Sequence, residues 1–354
     1  MKSTQHLALL FAVSVASFCW QDNANAQTSS TASSQEKTAY SLTIDNDVFF
    51  QTDRYYTDGF QIEWKRSGGQ LSGFEGDFLS SLCSYLGCAS KDYAQAKSII
   101  AQAAYTPRDI LIAQAQPLDH PWGGHLYFER AYDFVTPNQL QQTRITGQIG
   151  LLGHYSLADR VQKAAHKAFG SNPPNGWDNQ IGNNLAVLAS LEKRYAFGDV
   201  SEASGTRLRT AAYWNLTAGN VQTSAAVGIN FALGKSLPLI ASNDSVRRSS
   251  LDLAGAACLF DWLQCSLFGG VEARAVAFNV FLDGNLGRKD PNVDKKPIVI
   301  ESSLGGRLIF TGTRGTSNGP LYLQFKATHR TKEFNSTLPV YAHKWGSLTF
   351  GVDF

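Results

Sequence analysis

Along most of the chain apolar and polar residues alternate one by one. Tyr40, Leu42 and Ile44 interleave with Ser41, Thr43 and Asp45, and Phe60, Ile62 and Trp64 with Gln61, Glu63 and Lys65. The beat returns in Leu321, Leu323 and Phe325, and again in Leu348, Phe350, Val352 and Phe354. A period of two puts successive side chains on opposite faces of a strand, so each such segment predicts a strand with one apolar and one polar face. About twelve are readable, near 39–47, 56–66, 98–106, 123–135, 141–152, 184–197, 206–216, 221–233, 266–281, 298–311, 319–330 and 344–354.

Soluble β-sandwiches also alternate, but three features favour a membrane wall. The segments run about 9 to 13 residues, the length a tilted strand needs to cross the hydrocarbon layer. Their polar faces carry Glu63, Lys65, Glu192 and Arg194, which suit a wet lumen better than a dry core. The final strand ends on an aromatic residue, as strands of bacterial outer-membrane barrels commonly do. The expected fold is therefore all-β, an antiparallel transmembrane β-barrel of about 12 strands, because only closure satisfies every backbone amide in lipid. With the first strand running outward, the extracellular loops fall near 47–56, 107–122, 153–183, 217–220, 282–297 and 331–343.

The first residues stand apart. Lys2, an apolar stretch from Leu7 to Trp20 and the small-x-small Ala24-Asn25-Ala26 predict a cleaved secretory signal over 1–26, leaving the barrel at 27–354. Of five cysteines, Cys19 leaves with that signal. Cys83 with Cys88 and Cys258 with Cys265 form two close pairs, and an exported chain favours two local disulfides, although four cysteines permit three connectivities. Both pairs lie in long connections on the side opposite the extracellular loops. Charged residues make up 17% of the 354, and 31 Lys+Arg against 29 Asp+Glu leave a net charge of +2, so no nucleic-acid partner is expected.

Candidate chemistry concentrates in the proposed outer loops. Asp45-Asn46-Asp47 ends the first strand and faces Asp53, Thr57 and Asp58 across a short hairpin, a set of hard oxygens of the kind calcium takes, or else a solvated turn. Between Ser156 and Gly170, Leu157, Val161, Ala164, Ala165 and Phe169 mark one face of an amphipathic helix, with Ser156 as expected N-cap and Gly170 as stop. Gln162 and His166, four apart, share the edge of that stripe, where an imidazole could serve as general base on a membrane lipid's ester or merely face solvent. Trp122 and Tyr127 suit an aromatic girdle, and Arg288, Lys289, Lys295 and Lys296 form a basic cluster suited to phosphate, to sugar or to water. No G-x-S-x-G elbow, P-loop or H-E-x-x-H motif is present.

In order along the chain, several motifs together resemble the lipid A 3'-O-deacylase family of Gram-negative outer membranes. They are Asp45-Asn46-Asp47, Asp53-Arg54-Tyr55-Tyr56-Thr57-Asp58-Gly59, Tyr105-Thr106-Pro107, Gln162-x-x-x-His166-x-x-x-Gly170, Gly176-Trp177-Asp178-Asn179-Gln180, the run Phe278 to Asn285, and Arg330-Thr331-Lys332-Glu333-Phe334. The resemblance implies a twelve-stranded outer-membrane enzyme that removes the 3'-linked acyloxyacyl group of lipid A with Ca2+, in a phospholipase-A2-like mechanism facing the extracellular leaflet. It implies catalytic roles for His166, Asn46, Thr57 and Gln162 and calcium binding by Asp47, with lipopolysaccharide as substrate and no obligate protein partner. Asp119-His120-Pro121-Trp122-Gly123-Gly124 departs from the family's Asp-Arg-Pro-Tyr-Ala-Gly and lacks its arginine. A non-enzymatic barrel and an outer-membrane phospholipase are the alternatives.

Overall fold

The computed structural model describes residues 37–67, 73–88, 94–136, 140–201, 207–234, 256–260, 262–310 and 320–353, so the expected signal segment lies outside the described residues. Twelve strands form the wall: β1 (Lys37–Asn46), β2 (Tyr55–Ser67), β3 (Ala94–Thr106), β4 (Gly123–Val135), β5 (Gln141–Leu152), β6 (Asn184–Ser201), β7 (Arg207–Gly219), β8 (Gln222–Gly234), β9 (Leu263–Asn279), β10 (Ile298–Phe310), β11 (Leu321–Arg330) and β12 (His343–Asp353). Each is antiparallel to its neighbours, and β12 returns to β1 with Val352 opposite Tyr40, so the sheet closes as a barrel. Every alternating segment of the sequence is one of these strands. The short strand Ala256–Phe260 extends the β9 hairpin, and Asp294–Lys295 pairs with Phe334–Asn335 between two loops.

The wall is inside-out relative to a soluble sheet. On β5, Gln142, Arg144, Thr146 and Gln148 are buried while Ile149 and Leu151 are exposed, so the polar face lines the lumen and the apolar face looks outward. Lumenal charges are paired: Arg144 Nε reaches Asp133 at 2.5 Å, Arg194 reaches Glu192 at 2.7 Å, and Arg330 bridges Glu301 and Glu333. Lys97 stands 3.7 Å from Glu63. Removing one member of such a buried pair strands a charge at a cost of about 3–5 kcal/mol, so the lumen is polar but tightly specified.

One mouth of the barrel is plugged. The single helical turn α3 (Val280–Asp283) inserts Phe281 against Tyr105, ring centroids 4.0 Å apart, with Tyr56, Leu152, Ile181 and Trp345 buried around it. Lys295 pairs with Asp283 at 3.0 Å and Arg288 donates to the Asn183 carbonyl at 2.7 Å, so part of the basic cluster ties loops together. The girdle expectation fails for both aromatics. Tyr127 has lumenal parity and is buried, and Trp122 is buried against Trp177 (centroids 5.0 Å) beneath a loop helix, because β4 has already left the apolar band there.

That helix, here α2 (Ala158–Phe169), follows the expected span with one correction at its start. Leu157, not Ser156, is the N-cap; Ser156 instead accepts the Ala158 N–H at 3.3 Å and donates to the Gly153 carbonyl at 2.6 Å. Gly170 ends the helix at φ 65°, as its missing Cβ permits. A twelve-residue helix is marginal alone, so docking decides its stability. It docks on the outer wall: Gln102 of β3 donates to the Ser156 carbonyl at 2.6 Å, and Ala158 packs with Ala104, Ile110, Trp122 and Trp177. Contact is close enough that a Cβ on Gly124 would lie 2.0 Å from the Ser156 hydroxyl and 2.6 Å from the Ala158 Cβ. Gly124→Val should therefore lift α2 off the wall, seen as rapid tryptic cleavage at Arg160, Lys163 or Lys167 while the folded barrel keeps its heat-modifiable gel mobility; unchanged protease resistance would contradict this packing.

Candidate functional site

The first hairpin is built by a cap and a bulge. Asn46 ends β1 and caps the turn Asp47–Phe50 by accepting the Val48 N–H at 2.7 Å, while its amide donates to Asp58 of β2. The β2–β3 register slips between Tyr56 and Asp58, so an extra residue, Thr57, is accommodated there. Thr57 is buried, donates to Asp53 at 2.8 Å and stands 3.5 Å from Asp47. Asp47, also buried, accepts the Arg54 N–H at 2.9 Å. Alternation sends Asp45 through the wall to the lumen, where it accepts the Tyr56 hydroxyl at 2.6 Å, so Asp45 is not part of the acidic cluster the sequence suggested.

Helix α2 presents the opposing side of the site. Gln162 is 1% exposed, and its Oε1 accepts the Trp177 indole N–H at 2.7 Å. This contact fixes the amide orientation and leaves Nε2 as a buried donor with no acceptor. His166 lies 2.5 Å from the Asn172 carbonyl through Nδ1; a carbonyl can only accept, so Nδ1 is the donor, and in the neutral imidazole Nε2 holds the lone pair. That Nε2 is 3.7 Å from Asp53 Oδ2, which joins the helix to the hairpin. Asn46, Asp47, Asp53, Thr57 and Asp58 thus gather in one hairpin, and His166 meets it.

Backbone strain marks the same two segments. Among the described residues, the non-glycine residues with positive φ are Gln51 (59°), Tyr55 (64°) and Leu157 (59°), two bracketing the hairpin tip and one starting α2. Each costs on the order of 1–3 kcal/mol and persists only where surrounding contacts enforce it.

The cluster suits a hard cation. Burial above all, with smaller contributions from Asp53 and Asp58, pushes the Asp47 carboxyl up to about 8, and a cation beside it would favour the ionised form. Asp47, Asp53 and Thr57 offer oxygens only, as calcium prefers. No three His, Cys, Asp or Glu side chains are gathered at metal-binding spacing among the described residues, so hydroxyl, backbone or exogenous oxygens would have to complete a shell.

The site opens on the outward side of the wall. Asn46, Asp58 and Ala104 pair across three strands on that face. The apolar stripe of α2 also faces away from the protein: Val161 is 43% and Phe169 50% exposed, while Gln162 turns inward, and Val48 and Phe49 are exposed on the hairpin turn. His120, in the departed family motif, is buried and stacked on Tyr105, its Nδ1 2.7 Å from the Pro121 carbonyl, and burial holds its pKa below the usual value. It does not stand in for the lost arginine. Spacing along the chain does not mark Asp53 as the partner of His166 or Trp177 as the partner of Gln162, and the Asn172 contact uses a backbone carbonyl, for which no residue type is a signal.

No curated protein matches the chain. Among solved structures, LpxR from Salmonella typhimurium superposes with a TM-score of 0.68 at 19% identity, covering 89% of this chain and 99% of that one. The translocator domain of autotransporter NalP from Neisseria meningitidis aligns at a TM-score of only 0.37 and 7% identity, over 90% and 88% of the two chains. The model of the family described as outer membrane protein LpxR matches residues 7–354. The chain therefore belongs to the LpxR family of outer-membrane proteins, the lipid A deacylases that its motifs resemble.

Proposed function

We propose that the chain removes the 3'-linked acyloxyacyl group of lipid A by calcium-dependent ester hydrolysis, with His166 as general base, on the outer wall within the extracellular leaflet. The observation that carries this is the meeting of His166 with the acidic hairpin, 3.7 Å from Asp53, on the lipid side of the wall. The exposed apolar residues on both sides, Val48 and Phe49 against Val161 and Phe169, give an acyl chain a way in from the bilayer.

His166 Nε2 takes a proton from water while Nδ1–H stays on the Asn172 carbonyl, and Asp53 stabilises the imidazolium that forms. The water oxygen bonds to the acyl carbon, the bond from that carbon to the sugar oxygen breaks, and the imidazolium returns its proton to the departing sugar alkoxide. Gln162 Nε2 is the donor free to meet developing oxyanion charge. Asp47 and Thr57 would hold the cation, and Asn46 fixes the hairpin through its cap and its bond to Asp58. Calcium, when bound, would polarise the ester carbonyl.

Purified protein with lipid A should release one acyloxyacyl unit by mass spectrometry, and chelation should abolish the release. Loss of a chain from phospholipid instead would indicate a phospholipase, and no product from either lipid would indicate a non-enzymatic barrel. His166→Ala should lower kcat by about 10²- to 10⁴-fold with heat-modifiable mobility intact, and full activity would remove His166 from the base role. Trp177→Phe frees the Gln162 amide and should lower kcat by about fivefold, equivalent to roughly 1 kcal/mol for one hydrogen bond, with KM little changed.

A further inference from the structure

The long connection between β2 and β3 holds a second helix, α1 (Gly73–Leu86), whose Cys83 is disulfide-bonded to Cys88 just past its end. It packs on the outside of the barrel. Leu79 and Cys83 cluster with Ala96, Tyr132 and Phe134, strand residues whose neighbours Lys97 and Asp133 point into the lumen. This is the rim opposite the plugged mouth.

The wall beneath it is not an ordinary lipid-facing surface. Arg130 on β4 and Lys193 on β6 both have outward parity, where a cation against hydrocarbon is costly. Both are met by the helix: Arg130 pairs with Glu75 in its first turn at 3.1 Å, and Lys193 donates to the Leu86 carbonyl in its last turn at 2.6 Å. Arg130 also donates to Ser98 at 2.6 Å and to Tyr132 at 3.1 Å. Two outward cations are thus matched to the two ends of one helix, which fixes where α1 lies.

Its remaining surface is divided. Phe78 and Tyr85, one heptad apart, are 57% and 89% exposed, with half-buried Leu82 between them, while Asp77, Ser80, Ser81 and Ser84 are exposed on the other flank. We infer that α1 is an interfacial helix, its Phe78–Leu82–Tyr85 flank resting in the phospholipid leaflet at the rim opposite the candidate site and its serine flank facing water. The flank continues the outward apolar band of the wall, in which Ile100 of β3 and Phe128 of β4 are exposed, and an aromatic pair suits the headgroup boundary. The inference is independent of the proposed chemistry.

The test places a photoreactive benzoylphenylalanine at position 78, 84 or 85 of the full-length protein in phosphatidylethanolamine–phosphatidylglycerol vesicles, with folding checked by gel mobility. Lipid adducts several-fold more abundant at 78 and 85 than at 84 are expected. Equal labelling at all three positions, labelling that favours 84, or no adducts at all would overturn the assignment.

Discussion

A barrel wall is one residue thick, and alternation decides which side each residue serves. Adjacent residues have opposite destinations. Asp45 faces the lumen and binds Tyr56, while Asn46 faces out and binds Asp58. The same rule packs the lumen with ion pairs, leaves the apolar positions outside, and permits helices to stand against the outer wall without sealing a hydrophobic core. Helix α2 therefore turns Gln162 and His166 inward and exposes Val161 and Phe169, the reverse of a helix on a soluble protein.

Chemistry enters where alternation is interrupted. The register slip at Tyr56–Asp58 accommodates Thr57, and positive φ angles at Gln51 and Tyr55 turn the tip so that Asp47 and Asp53 converge on it. Leu157 provides the corresponding turn at the start of α2. The turn at Leu157 is held by the helix seat at Gly124 and by the Gln102 bond, and the hairpin tip by its own bonds from the Arg54 N–H to Asp47 and from the Val48 N–H to Asn46, so the outer wall supports a site made of loops.

Much of this was legible beforehand for a physical reason: period two is a strong, repeated signal, and all twelve strands carry it. The helix was legible through its spacing and its stop through Gly170, and the shared edge of Gln162 and His166 through their i, i+4 placement, whereas Ser156 was not the cap its type suggested. The direction of the apolar stripe was not, because periodicity shows that a helix has two faces and not which one meets the protein. Nor was α1 foreseen, since its residues break the alternation without announcing a partner, and the cations that seat it, Arg130 and Lys193, are ordinary residues until parity turns them outward. The Cys83–Cys88 bond agrees with the expected local pairing, whereas the Cys258 side chain lies outside the described residues.

The proposed reaction runs on the lipid side of the wall, between the hairpin and α2. Crystals of active protein grown with calcium or terbium test it directly through anomalous scattering. A cation is expected at Asp47, outside the wall and a few ångströms from His166. A cation inside the lumen at Asp45, or none anywhere near the hairpin under conditions that support turnover, would contradict it.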